Sequence, residues 1–305
     1  MLSADQKSVV NQKDTGMHVM VAATMSAGKS SFINALLGTE ILHSANEATT
    51  ACITGILCQD HGGQQFSGIC YASDGQELVH FTPVSAKTVQ AWNTDSVVRC
   101  IFLYGSSKPI FGLPYNVALY DTPGPNNSQD HDHAQLMFEA VRTIEFSTMF
   151  YILNVTQIGT CDDRTLLKQL RHEMRHKTDL SVYFVLNKVD VLDPDMGESI
   201  EKYVQIAKIY LEEVGFEQPV IIPAMAHVAL CARKALDHVP LTRRERIELR
   251  QALEKSDVEK RAVVQATIAP GLIRERVMRM FDGLARLKLK NRHDATSSQL
   301  SLIHI

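Results

Sequence analysis

Charge of one sign is almost absent from the balance of this sequence: 31 lysines and arginines stand against 34 aspartates and glutamates, a formal net charge of −3 over 305 residues. That balance leaves no electrostatic footprint for a nucleic-acid partner, and none is expected. No apolar run approaches the roughly 18 residues of a membrane span. Residues 1–16 form a polar leader without the apolar core of a signal peptide. Six cysteines (Cys52, Cys58, Cys70, Cys100, Cys161 and Cys231) are scattered without C-x-x-C spacing, which excludes a zinc knuckle and fits reduced thiols better than a disulfide framework. These absences describe a cytoplasmic chain, at most peripheral to a membrane, and the sequons at Asn126 and Asn154 are discounted. What is present, 45% hydrophobic and 21% charged residues, is ordinary for a soluble globular protein. The length suits one large domain with an appendage, or two small domains.

Short apolar runs alternate with amphipathic stretches from Met17 to about Leu236, the pattern of a parallel sheet with helices on its faces. After a first strand at 18–22, strands are expected at 52–59, 68–72, 97–104, 116–120, 148–154, 182–187 and 220–222. A short helix is expected over Pro83–Asn93, inside an insertion between core strands. A longer one is expected over Asp162–Lys177, with Asp162 or Asp163 as cap and Leu166, Leu167, Leu170 and Met174 on its buried stripe. From 241 to 292 the chain is charged and helical in pattern, broken at Pro270-Gly271, with no further strands expected. Past the break, Ile273, Val277, Met280, Leu284 and Leu287 follow a 4-3-4-3 spacing, a narrow seam flanked by basic residues such as Arg274, Arg279 and Arg286. Such a seam suits a helical partner, and it equally suits a terminal helix packed on its own domain.

The run Ala23-Thr24-Met25-Ser26-Ala27-Gly28-Lys29-Ser30-Ser31 stands between an apolar strand pattern and a helix pattern that Gly38 closes, the context a phosphate-binding loop requires. Ala27 and Gly28 let backbone N–H groups face phosphates, Lys29 can place its ammonium on the β and γ phosphates, and the Ser30 hydroxyl can ligate Mg²⁺. The usual first glycine of G-x-x-x-x-G-K-[ST] is Ala23 here, so the turn is expected to tolerate a methyl group at that position.

Asp121-Thr122-Pro123-Gly124 follows another apolar run, which places Asp121 at a strand's carboxyl end, where α/β sheets bind ligands. Asp121 can hold Mg²⁺ through water, the Gly124 N–H can meet the γ-phosphate, and Pro125-Asn126-Asn127-Ser128 reads as a switch. Asn187-Lys188-Val189-Asp190 ends a later strand. A carboxylate there accepts the N1–H and exocyclic amine of guanine, whereas adenine would leave it unpaired, so the pattern selects GTP over ATP. Asn187 can brace the phosphate-loop strand and contact guanine N7, and the Lys188 stem can cover the base. A threonine that closes over Mg²⁺ and orients water is expected in Ala48-Thr49-Thr50-Ala51; Thr50 is the choice, and spacing alone does not separate it from Thr49. The loop Ile222-Pro223-Ala224-Met225-Ala226 offers a backbone contact to guanine.

Ser26-Ala27-Gly28-Lys29-Ser30-Ser31 with Ile33-Asn34-Ala35-Leu36-Leu37-Gly38, Asp121-Thr122-Pro123-Gly124-Pro125-Asn126 and Asn187-Lys188-Val189-Asp190 resemble the bacterial dynamin-like GTPases, and are most similar to a subgroup that includes a replication-clamp-binding protein. The resemblance covers roughly Met17 to Ala235. It implies a three-layer α/β P-loop GTPase domain with a mostly parallel sheet at 17–240, and a short C-terminal helical segment at 241–292 that could begin a neck or stalk. It also implies a role for Ser26 in supporting the transition state, pairing of two GTPase domains across their nucleotides, and a stalk that engages a membrane or protein partner. No glutamine follows Asp121-Thr122-Pro123-Gly124, so the attacking water falls to the Thr50 region and backbone groups. Residues 293–305 read as a disordered tail. The last six, Leu300 to Ile305, resemble the translation of a transposon adapter used in sequencing libraries, so the frame reads as truncated after the GTPase domain.

Three functions follow: a dynamin-like GTPase working as a nucleotide-dependent dimer, a monomeric switch GTPase acting on ribosomes or RNA, and a nucleotide-binding scaffold with little turnover. A rival motif, His172-Glu173-Met174-Arg175-His176, matches the H-E-x-x-H of zinc proteases but sits on the exposed side of an expected helix with no third ligand indicated, so a solvated face is the better account.

Overall fold

A computed structural model describes residues 16–43, 52–58, 65–107, 115–125, 131–255, 257–272 and 275. The chain divides into two compact units, Met1–Ile152 with Gly159–Val182, and Leu153–Ile158 with Tyr183–Ile305. The architecture is mixed α/β, with nine strands among the described residues that pair mostly in parallel.

In the first unit, strand β1 (Met17–Ala23) is central and lies parallel to both β6 (Val117–Asp121) and β7 (Thr148–Asn154). Its residues Val19 to Ala23 are buried, which is why it reads as a continuous apolar run rather than an alternating one. Helix α1 (Lys29–Leu37) follows, packs on β1 and β6, and buries Phe32, Ile33, Ala35 and Leu37. It ends at Gly38, whose φ of 73° is the left-handed conformation that terminates helices. Next come β2 (Ile53–Cys58), β3 (Phe66–Ala72), β4 (Glu77–Val84), α2 (Ala86–Thr94) and β5 (Val98–Gly105). The strand order across this unit is β4-β3-β5-β2-β6-β1-β7. β2 is parallel to β5 but antiparallel to β6, and β3 is antiparallel to both β4 and β5.

Strand β4 was not expected. Seven of its eight residues are exposed, so it carries no buried alternation for a sequence pattern to reveal. The neighbouring helix also begins later than expected: Pro83 belongs to β4, and Ser85 caps α2 by accepting a hydrogen bond from Thr88 N at 3.2 Å. Helix α3 (His131–Thr143) then packs against α4 (Cys161–Met174). Neither Asp162 nor Asp163 caps α4. Thr160 does, and Asp163 in the first turn is buried and accepts a 2.6 Å hydrogen bond from the Tyr151 hydroxyl. Leu166, Leu167, Leu170 and Met174 are buried as the stripe required.

The second unit contains the parallel pair β8 (Ser181–Asn187) and β9 (Val220–Ala224), with helices α5 (Ile200–Val214), α6 (Ala226–Leu236), α7 (Arg243–Glu254) and α8 (Asp257–Gln265). Glu245 fixes α7 to α6. One oxygen accepts from Lys234 Nζ at 2.6 Å, and the other accepts from Thr242 N at 2.6 Å in a capping box. Burial pushes the Glu245 carboxyl up, but those hydrogen bonds outweigh it and hold it below the ordinary value. Beyond α8, Ile268 forms an antiparallel bridge with Ile221, an extended contact where only helix was expected.

The exit from α1 is fixed by one side chain. Asn34 is fully buried; its Oδ1 accepts from Ile41 N (3.1 Å) and Leu42 N (2.9 Å), and its Nδ2 donates to Leu42 O (2.7 Å). Removing it strands three buried backbone groups, each costing about 1–3 kcal/mol when left unpaired. Asn34→Ala is therefore expected to lower stability by about 3 kcal/mol or more, read as a fall in urea midpoint at unchanged slope.

Candidate functional site

The phosphate-loop region lies wholly in the first unit. Its geometry differs from the sequence rule in an instructive way. Ala23 is the last residue of β1, paired with Ile152 of β7 and fully buried, so its backbone is extended and needs no glycine. The left-handed turns come later, at Ser26 (φ 60°) and Gly28 (φ 91°). For serine that conformation costs on the order of 1 kcal/mol, the kind of strain that concentrates at functional loops.

Gly28 is the N-cap of α1, and the helix has no acidic residue in its first turn. Its positive end therefore carries no acidic side chain of its own, which favours a bound phosphate there. Lys29 and Ser30 are the first two helical residues and both are buried.

Lys29 Nζ donates to Asp121 Oδ1 across the gap between the start of α1 and the end of β6, with side-chain exposures of 8% and 1%. Two charges this far from solvent are sustained because each neutralises the other. The Asp121-Thr122-Pro123-Gly124-Pro125 segment is held against β1 and the loop by two further hydrogen bonds. The Thr122 hydroxyl donates to Val21 O at 2.9 Å, and Met25 N donates to Pro125 O at 3.3 Å. A Cβ on Gly124 would stand 3.2 Å from Ala23 O, so the position admits little beyond glycine. Thus Ser26, Ala27, Gly28, Lys29, Ser30, Asp121 and Gly124 are gathered in one region. Thr49, Thr50 and Asn126–Ser128 lie outside the described residues.

The Asn187–Asp190 turn belongs to the second unit. Asn187 ends β8 and is buried; its Oδ1 accepts from Ala226 N at 3.0 Å. That hydrogen bond braces the start of α6, just after β9. Lys188 adopts a left-handed φ of 66°, which turns the chain into the short helix Val189–Val191. Burial depresses the Lys188 ammonium, an effect that Asp190 opposes. Burial raises the Asp190 carboxyl above its ordinary value, with Glu248 adding to the rise and a backbone hydrogen bond, Lys255 and His227 working against it.

The histidine motif is pulled apart by structure. Helix α4 stops at Met174, Glu173 pairs with Arg142 at 2.9 Å, and His176 lies outside the helix, accepting from Arg175 Nε at 2.9 Å. Among the described residues no helix is long and apolar enough to cross a membrane.

The sequence matches the Dynamin family over residues 19–189, more than half of the chain. No curated protein matches it. Two solved chains of an oligomerised bacterial dynamin pair, described as providing a mechanism for long-range sensing and tethering of membranes, share its fold. One is 18% identical with a TM-score of 0.50, the other 17% identical with a TM-score of 0.51. Each comparison covers 97% of this chain and 46% of the solved chain, so the sequence spans less than half the length of those proteins.

Two outcomes follow from the charges described. Lys29→Ala is expected to destabilise the nucleotide-free chain by about 3–5 kcal/mol, because buried Asp121 loses the cation that faces it. Adding Asp121→Ala should recover most of that loss in chemical denaturation. For Asp190, a base contact that needs the ionised carboxylate weakens as pH falls through its pKa. Guanine-nucleotide affinity measured against pH should therefore fall on the acid side with a midpoint above the ordinary aspartate value, and Asp190→Asn should remove that limb and shift preference toward xanthine nucleotides.

Proposed function

The chain belongs to the dynamin family, and on that premise we propose that it binds and hydrolyses GTP, and that its GTPase domain, residues 17–240, pairs with a second copy in a nucleotide-dependent way to drive a conformational change. The observation that carries this reading is the buried Lys29–Asp121 pair at the Gly28-capped start of α1. It keeps one cation and one anion in place, the two charges that a nucleotide triphosphate and its metal ion would each take up.

The residues fit Mg²⁺. A serine hydroxyl and an aspartate carboxylate are hard oxygen donors, Ser30 and Asp121 supply them, and Thr50, with Thr49 as the alternative, would supply a third. Held by these residues, Mg²⁺ would supply positive charge against the phosphates. Lys29 turns from Asp121 to the phosphate oxygens, and the backbone of Ala27 to Ser31 faces the phosphate chain.

In hydrolysis, a water oxygen bonds to the γ-phosphorus while the bond from that phosphorus to the β–γ bridging oxygen breaks, leaving GDP and phosphate. Lys29 meets the charge that grows on the bridging oxygen, and Ser26, held in its left-handed turn, supports the same region. The Gly124 N–H contacts the γ-phosphate and is released when it leaves. Asp190 accepts the guanine N1–H and exocyclic amine, Asn187 contacts N7, and the Lys188 stem covers the base. A membrane or protein partner falls to a stalk rather than to this domain.

Turnover per molecule should rise with protein concentration and reach a plateau, because pairing completes the site. A steady-state GTPase series across that range reads it: a flat dependence assigns the chain to the monomeric switch class, and absent turnover despite GTP binding assigns it to the scaffold class.

A further inference from the structure

Within the second unit, the Asn187–Asp190 turn is tied through α6 to a helix that lies beyond residue 240. Asn187 accepts from Ala226 N at the start of α6, and the next residue, His227, places its Nδ1 3.5 Å from Glu248 Oε2 of α7. The other oxygen of Glu248 accepts from Arg244 Nε at 2.7 Å, so this carboxylate is held between its own helix and the first turn of α6. Cys231 Sγ lies 3.4 Å from the same His227 nitrogen.

Helix α7 turns one stripe toward this region. Glu245, Glu248, Leu249, Ala252 and Lys255 recur at the three- and four-residue spacing of a single helix face. Glu245 is bound to Lys234 of α6, and Leu249 and Ala252 are buried. Lys255 closes the helix as its C-cap. The stripe therefore carries an acid at its middle and a base at its end.

Both charges act on Asp190. Burial raises its carboxyl most strongly; a backbone hydrogen bond, then Lys255 and then His227 work against burial, whereas Glu248 adds to it. Among the described residues the charged groups around Asp190 are thus Lys188 on the turn itself, His227 on α6, and Glu248 and Lys255 on α7, with Arg244 bound to Glu248. A carboxylate that accepts two N–H donors of guanine has to be ionised, and it sits where burial favours the neutral acid. Lys255 supplies an opposing cation from a helix outside the 17–240 domain.

We propose that α7 is part of the guanine site: Lys255 is a positioning residue that keeps the Asp190 carboxylate charged for the base, and Glu248, held by His227 and Arg244, opposes it. This role rests on the assignment of guanine to Asp190 made above.

The affinity of the whole chain for ribose-labelled fluorescent GDP with Mg²⁺, followed from about pH 8 to about pH 4.5 and referred to each protein's own neutral plateau, tests it. Titration of the phosphates of GDP is common to all the proteins and cancels between them. Lys255→Gln should move the acid midpoint up by roughly half a pH unit, read as an about threefold weaker affinity at a fixed pH on the limb. Glu248→Gln should move the midpoint down by a similar amount, the double variant should lie near the parent, and Lys255→Arg should match the parent. A purely structural role for α7 would not move the two midpoints in opposite directions. Unmoved midpoints, midpoints that both rise, or a Lys255→Arg variant that behaves like Lys255→Gln would overturn the role of α7, and the guanine assignment survives that result if Asp190→Asn still shifts preference toward xanthine nucleotides. An Asp190→Asn variant that keeps its preference for guanine removes the assignment and this proposal with it.

Discussion

The ion pair between Lys29 and Asp121 ties together the two segments that everything else at the phosphate end is built around. Lys29 opens α1 and Asp121 closes β6, so the pair spans from the helix packed on the sheet to the carboxyl edge of the sheet itself. Around it the sequence is constrained by sterics more than by charge. Thr122 ties the end of β6 to β1 through Val21 O, and Gly124 lies so close to Ala23 O that a side chain there would have to displace backbone. A bound nucleotide and metal ion would inherit charges already buried and oriented, rather than having to drag them out of water.

Strain is spent in the same places. Among the described residues four non-glycines have φ in the left-handed region, and two of them, Ser26 and Lys188, lie in the phosphate loop and the Asn187–Asp190 turn. In each case a polar or charged side chain stands where glycine would relieve the backbone. The cost, on the order of 1 kcal/mol for each, is the expected consequence of asking one position to be both a turn and a chemical group. Asp190 shows the same compromise electrostatically. Burial opposes its ionisation, while Lys255 and His227, on either side of the Lys234–Glu245 brace, favour it.

The phosphate-loop motif, the Asp121 segment, the positions of most strands and the helix that Gly38 closes were all legible, because each rests on local pattern: apolar runs for buried strands, a glycine after a helix, a fixed spacing of lysine and hydroxyl. What was missed rests on partners distant in sequence. Strand β4 is invisible to periodicity because seven of its eight residues are exposed and no buried face alternates. Thr160 rather than an aspartate caps α4 because Asp163 is recruited inward by Tyr151. Asn187 braces Ala226, 39 residues away, a choice made by the β8–β9 pairing.

Ala23 shows where the boundary falls. From sequence it is a departure from the glycine rule of its own motif, with no reason attached. In the fold it is simply the buried end of β1, paired with Ile152, and the left-handed turns are made at Ser26 and Gly28. The sequence by itself determined the chemistry available, namely a lysine, a hydroxyl, two carboxylates and an asparagine at strand ends, since side-chain identity and spacing need no partner to be read. Tertiary structure alone decided which of those charges are buried against each other, which residue bears the turn and which strand keeps its side chains exposed, because burial, register and pairing are properties of neighbours that the linear order does not bring together.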